Sequence, residues 1–180
     1  MVLYTIGHSN HSLSKLIELL IANKIVNLVD VRTSPYSRFN QQFNKESLIY
    51  ELPKHRIRYL YYGQTLGGRP DDPMLYKHKK FPDGEIDFLH EVDYPQIMQK
   101  SWFQEAIKEL IEIAELAPTA IMCSEEDPAE CHRHHLVSKY IVERYPDVEV
   151  KHIRGDGNVY SAKMIRKSVN QETIKQERMF

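Results

Sequence analysis

Two cysteines in 180 residues leave too little sulfur for a disulfide framework in a chain of this size. An excess of charge is missing as well: 24 lysines and arginines face 25 aspartates and glutamates, for a formal net charge of −1. Without a global basic field, any attraction for anions has to be local, which puts nucleic acid second among the partner classes. No apolar window approaches 18 uninterrupted residues, and the opening run MVLYTIGHSN is too short for a secretory signal. We therefore expect no membrane partner and a cytoplasmic setting. Internal repeats and low-complexity tracts are also lacking. What the chain does have is 42% hydrophobic residues, enough for a single core of ordinary domain size.

Those hydrophobic residues alternate between two periods. Short β-prone runs at Leu3 to Ile6, Val26 to Val31, Ile57 to Tyr62, Thr119 to Met122 and Val148 to Ile153 predict about five strands. Between them, Leu13, Leu16, Ile17, Leu20 and Ile21 mark one face of a helix that Ser12 can cap. Ser47 to Leu52 reads as a short helix. Phe103, Ala106, Ile107, Leu110, Ile111 and Ala114 form a longer stripe, with Ser101 and Gln104 at capping-box spacing. Asp127, Pro128 and Glu130 fit the start of a last helix that should stop before Pro146.

This pattern predicts an α/β fold: a mainly parallel central sheet with helices on both faces, Rossmann-like in layering. Strand order is not readable from it. We expect one α/β domain over residues 1–157, with a charged insertion at about 70–100 carrying one short helix at Ile86 to Val92. Residues 158–180 then form a C-terminal extension with room for one helix from Ser161.

Each predicted strand runs into a polar cluster: TIGHSN, DVRTSPYSR, LGGR, MCSEED and HIRGDG. In open parallel sheets, ligands bind outside the carboxyl ends of the strands, so the repeated coincidence points to one site. Laid end to end, the clusters resemble the bacterial and archaeal family labelled domain of unknown function 488, and MCSEEDPAECHR is the most specific stretch. The resemblance covers nearly everything from Leu3 to about Gly157. It implies that Gly7, His8, Ser9, Asp30, Arg32, Gly67, Gly68, Cys123, Glu125, Cys131, His132 and Arg133 occupy family motif positions. His134 and His135 depart from the family pattern and inherit no role. No reaction comes with the resemblance.

The chemistry is read from the residues themselves. On a helical wheel Arg133 falls in the stripe of Ala129, Leu136, Val137, Tyr140 and Ile141 and so faces the sheet. A buried guanidinium needs an anionic partner: Asp30, or a bound phosphate or carboxylate at the helix start. Arg32, Arg38, Arg69 and Arg154 belong to the other clusters, and five arginines at strand ends favour an acidic ligand.

Cys123 is the candidate nucleophile, its thiol pKa lowered by the helix start and the arginines, against the alternative of an inert buried cysteine. Glu125 and His8 are candidates for proton transfer, against loop-orienting and capping roles. Ser9, Asp30, Arg32, Arg133, Gly67, Gly68 and His132 complete the expected substrate site, although two glycines make an ordinary turn as well as a phosphate cradle. No cofactor or metal is expected. The rival ligand set is Cys131 and His135, four apart on one helix face, with Cys123, and the wheel places the first two opposite the buried stripe. Tyr36, Phe39, Phe43, Tyr59, Tyr61 and Tyr62 interleave with Arg38, Arg56 and Arg58, a mixture that stacks on bases or builds a core rim.

The expected activity is hydrolase or transferase chemistry on a small anionic or nucleotide-like substrate. The alternative is a non-catalytic module for nucleic acid or nucleotides. Oligomeric state is left open.

Overall fold

The computed structural model describes residues 1–82 and 88–165. A six-stranded sheet forms the frame: β1 (Val2–Gly7), β2 (Asn27–Asp30), β3 (Arg58–Tyr61), β4 (Thr119–Cys123), β5 (Glu149–Ile153) and β6 (Val159–Ser161), in spatial order β3-β2-β4-β1-β5-β6. The first five are parallel, and β6 turns back antiparallel to β5. All five expected strands are present, so the count of about five falls short by β6. That strand is three residues long with no apolar alternation to announce it, and it lies in the stretch expected to be an extension. Residues 162–165 are helical, and the rest of the helix expected from Ser161 lies outside the described residues.

The helices are α1 (Leu13–Ala22), α2 (Lys45–Glu51), α3 (Gly63–Leu66), α4 (Phe88–Glu91), α5 (Tyr94–Ile97), α6 (Ser101–Leu116) and α7 (Lys139–Arg144). Ser12 caps α1 as expected, accepting from the Lys15 N–H at 3.1 Å. The capping box at α6 does not form: Lys100 takes the cap position, Ser101 is the first helical residue, and Gln104 donates to the Met98 carbonyl instead.

Alternating strand residues feed two cores, one on each face of the sheet. On one face Ile6, Leu28, Ala120, Met122 and Ile153 pack with Leu16, Ile17 and Leu20 of α1 and Leu48 of α2. On the other, Leu3, Val29, Ile121 and Val150 pack with Phe103, Ile107 and Leu110 of α6 and with Leu136, Val137 and Ile141. The stretch expected as a charged insertion contributes Leu75, Tyr76, Val92, Tyr94 and Ile97 to this second core, and Tyr76 bridges Val92. Its helix α4 is described over Phe88–Glu91, and the earlier part of the predicted segment lies outside the described residues.

The last predicted helix is where sequence and structure differ most. Asp127 caps only a single 3-10 turn, Pro128–Glu130, and Cys131 is extended at φ −136°, ψ 139°. A second start follows, with the Cys131 carbonyl accepting from His134 and His135. Residues Arg133–Ser138 then form a wide π turn leading into α7. Ser138 Oγ donates to the Arg133 carbonyl at 2.6 Å, occupying an acceptor that a regular ladder would give to a backbone N–H.

The topology leads directly to the site. Chain segments leaving β1 and β2 go to one face of the sheet, while the segment leaving β4, which lies between them, goes to the other. This divergence opens a crevice at the carboxyl ends of the three central strands.

Candidate active site

Strand register gathers the polar clusters. Gly7 is level with Cys123, and Asp30 with Met122, so the residues that follow emerge side by side. Gly7 is required here because a side chain would run into the Glu125 carbonyl. Ser9, at φ 49°, turns the chain away in the left-handed region while its N–H bonds the Ser124 carbonyl at 2.8 Å. The crevice is a cleft of about 700 Å³. His8 and Ser9 line it from β1, Arg32 to Ser34 from β2, and Cys123 to Glu125 from β4. Glu130, Cys131 and His132 complete the lining together with Gly68, Arg69, Phe88, Leu89 and Tyr94. Gly68 packs so tightly on the His132 ring that a Cβ would lie 2.6 Å from Cγ.

Asp30 is fully buried and ion-paired to Arg32 at 2.6 Å. It also accepts from the Arg32 backbone and from the Tyr59 hydroxyl at 2.7 Å, and burial together with this carboxylate pushes the Tyr59 pKa up. Arg32 spends Nε and one Nη2 hydrogen on Asp30, the other Nη2 hydrogen on the Phe43 carbonyl, and one Nη1 hydrogen on His8 Nε2. A guanidinium has five N–H groups, so among the described residues one Nη1 donor is left to the cleft.

The tautomer of His8 follows from its neighbours. Arginine only donates and a carbonyl only accepts, so Nε2 receives the Arg32 bond at 3.1 Å and Nδ1–H donates to the Ser9 carbonyl at 2.7 Å. Burial, reinforced by Arg32, lowers its pKa to about 4, and the ring stacks on Phe43 at 4.2 Å. Both nitrogens of a neutral ring are committed. His8 therefore orients Arg32 and is not arranged for the proton transfer that sequence suggested.

Arg133 is completely buried, as its place on the helical stripe requires, but its partner is not Asp30. Its Nη1 and Nη2 groups donate to the backbone carbonyls of Glu125 and Glu126, the second at 2.7 Å, and Nε donates to Thr5 Oγ1 at 3.3 Å. It holds the loop after β4 and does not line the cleft. Arg154 is paired with Glu126 at 2.6 Å, and Arg38 lies outside the lining. Of the five arginines, only Arg32 and Arg69 face the cleft, and Arg69 lies over the Phe88 ring at 4.1 Å. Gly67 packs behind it, against Thr33 and the Gly63 carbonyl.

The floor of the cleft is a sulfur cluster. Cys123 Sγ and Cys131 Sγ each lie 3.1 Å from the same oxygen, Glu125 Oε2, while the Glu125 side chain remains open to the cleft. His132 Nδ1 is 3.6 Å from the Cys123 sulfur and 4.0 Å from that of Cys131, and the other ring nitrogen is 3.0 Å from the Val31 carbonyl.

Electrostatics separate the two thiols. The hydrogen bond to Cys131 and then burial push Cys123 well up, whereas for Cys131 burial is outweighed by the hydrogen bonds from Cys123 and His132 and its thiol is pulled well down. Desolvation in the cleft and the adjacent sulfur raise the Glu125 carboxyl. The easier thiolate is thus Cys131, not Cys123 as the sequence suggested.

Cys131 was expected to lie opposite the buried stripe with His135. It is instead 1% exposed and inside the cluster. The wheel assumed one continuous helix from Pro128, and the break at Cys131 invalidates it. His135 turns away to the Ala129 carbonyl, so the rival set of Cys131, His135 and Cys123 is replaced by Cys123, Cys131 and His132. The resemblance had placed Cys131 and His132 at motif positions, and that was the available signal. Arg69 was noted only as one arginine among five, and nothing in the sequence marked Glu130 as cleft-lining.

The sequence profile described as Domain of unknown function DUF488 matches residues 12–140. The chain belongs to this family. The match holds every cleft residue from Arg32 to His132, while His8 and Ser9 precede it. No curated protein and no solved structure matches the DUF488 chain. Among its described residues no helix is long and apolar enough to cross a membrane.

Proposed function

We propose that this DUF488 protein is an enzyme, a hydrolase or transferase acting on a small anionic or nucleotide-like substrate in the strand-end cleft. The carrying observation is that two thiols share one carboxylate oxygen in the cleft that Arg32 also lines, its guanidinium keeping one donor free among the described residues. Arg32 and Arg69 hold the anion, with His8 fixing the orientation of Arg32. The Cys123 thiol gives its proton to the Glu125 carboxylate 3.1 Å away, and its sulfur attacks the substrate electrophile and forms an S–substrate bond. The bond to the leaving group breaks, and protonated Glu125 supplies that group's proton. Water or an acceptor hydroxyl then displaces the sulfur and gives its proton to Glu125, which returns it to Cys123.

The Rossmann-like layering and a cytoplasmic setting belong to the same proposal, since adjacent thiols stay reduced in a reducing compartment. A thermal-shift screen against nucleotides, sugar phosphates and short oligonucleotides identifies the ligand, because a compound binding only the native state raises its melting point. With that ligand as substrate, Cys123→Ser abolishes turnover and spares binding. Retained turnover in this variant rejects sulfur attack. Tight oligonucleotide binding with a steep salt dependence and no turnover would favour the non-catalytic module instead.

A further inference from the structure

We propose that Cys123, Cys131 and His132 form a three-ligand site for a thiophilic divalent cation, zinc above all, with its fourth position open to the cleft. The three donor atoms all lie within 4.8 Å of one another. Zinc holds sulfur at about 2.3 Å and nitrogen at about 2.0–2.1 Å, so a tetrahedral site has sulfur–nitrogen edges of roughly 3.5 Å. The observed edges to His132 Nδ1 are 3.6 Å and 4.0 Å, within a few tenths of an ångström of that value.

The imidazole is already set for this role. Its Nε2–H donates to the Val31 carbonyl at 3.0 Å, so Nδ1, once it gives up the proton it shares with Cys131, turns its lone pair to both sulfurs. Ligand histidines are oriented in this way by a carbonyl or carboxylate behind them. Arg133 N–H points at the Cys131 sulfur at 3.4 Å, a contact that favours its thiolate form. Two sulfurs and one nitrogen suit zinc and exclude magnesium and calcium, which take oxygen ligands.

Chain geometry explains how neighbouring residues both reach the ion. Cys131 is extended and His132 begins the helix, so the two side chains converge where a continuous helix would have spread them. All three ligands line the cleft, so the fourth position faces bound substrate, as in catalytic zinc sites. Glu125 flanks that position.

The inference rests on the cleft as the reaction centre but changes the attacking group. With both sulfurs serving as ligands, a water at the fourth position gives a proton to Glu125, its oxygen bonds to the substrate electrophile, and the leaving group departs with that proton.

Zinc content measured on the full chain, purified without a histidine tag, tests the proposal. We expect about one zinc per folded wild-type chain, and zinc titration of the metal-stripped protein releasing protons from the two thiols. Cys123→Ser, Cys131→Ser and His132→Ala should each lower affinity at least tenfold, while Glu125→Gln keeps the metal. Cobalt titration of the wild type, read by sulfur-to-cobalt charge-transfer absorption, gives the same answer without any variant. Less than about half a zinc per folded wild-type chain after titration, with no charge-transfer band, overturns the site. Loss of metal in Glu125→Gln overturns its open form. A metal-free wild type that turns over substrate, and loses turnover in Cys123→Ser, sinks zinc and leaves the thiol enzyme standing. A zinc-bound protein that turns over nothing in the ligand screen does the reverse.

Discussion

Arg133 shows how far a single residue can be read. Its position on the stripe fixed its burial, and the impossibility of neutralising a guanidinium fixed its need for acceptors. What no local pattern encodes is which acceptors: the loop after β4 presents two carbonyls there, and Asp30 is already taken by Arg32 and Tyr59. Arg133→Met should therefore leave two carbonyls and the Thr5 hydroxyl without their donors. The expected cost is about 3 kcal/mol in urea denaturation, since a buried acceptor deprived of its donor costs roughly 1–3 kcal/mol. A loss under about 1 kcal/mol would mean that water reaches the loop. Arg32→Lys, by contrast, keeps the charge beside Asp30 but cannot reproduce the fork that reaches Phe43 and His8. Ligand affinity in the variant should fall at least tenfold, measured by calorimetry with whichever compound the thermal screen yields.

At the level of elements, the five main strands and the helices α1 and α6 were legible because their apolar residues repeat with a clear period. The helix after β4 was legible in its second half only. Asp127-Pro128 is a strong start signal, yet the structure starts twice, and the second start depends on Ser138 and the tertiary grip of Arg133. Periodicity cannot report a break whose cause is a side chain seven residues away. The consequence is chemical, because the break turns Cys131 from the solvent face into the sulfur cluster. Ser138→Ala should remove the bond to the Arg133 carbonyl at a cost of about 1 kcal/mol. It should also let the π turn relax toward α-helical register, drawing Cys131 away from Cys123. Exposure of the thiols to a disulfide reagent measures this: the variant should react faster than wild type, and equal rates would disconnect the π turn from the cluster.

At the scale of the whole molecule, the convergence of four of the five clusters on one crevice was legible, but HIRGDG after β5 stays outside the lining, with Arg154 held by Glu126, and the strand order that makes the crevice was not legible. Nor was the internal pairing of the arginines, which leaves the cleft much less cationic than their number implied. The same packing buries a relay outside the cleft. Arg133 Nε donates to Thr5 Oγ1, Thr5 O–H is then left to donate to His152 Nδ1 at 2.7 Å, and His152 Nε2–H to His134 Nδ1 at 3.1 Å. Burial, with His134, Arg133 and Arg154 adding to it against Cys131, lowers the His152 pKa to about 3. Above pH 6.5 the ring is neutral in folded and unfolded chains alike and contributes no pH dependence. As pH falls from 6.5 toward 3, the unfolded chain takes up a proton that the native chain refuses, so stability is lost across that window. The rate is at most about 1.4 kcal/mol per pH unit, or roughly 2 kcal/mol by pH 5. His152→Asn keeps a donor and an acceptor but does not titrate. Its urea midpoint should fall less than that of wild type between pH 7 and pH 5, whereas parallel declines would show that the native ring accepts the proton and that the relay is open to solvent.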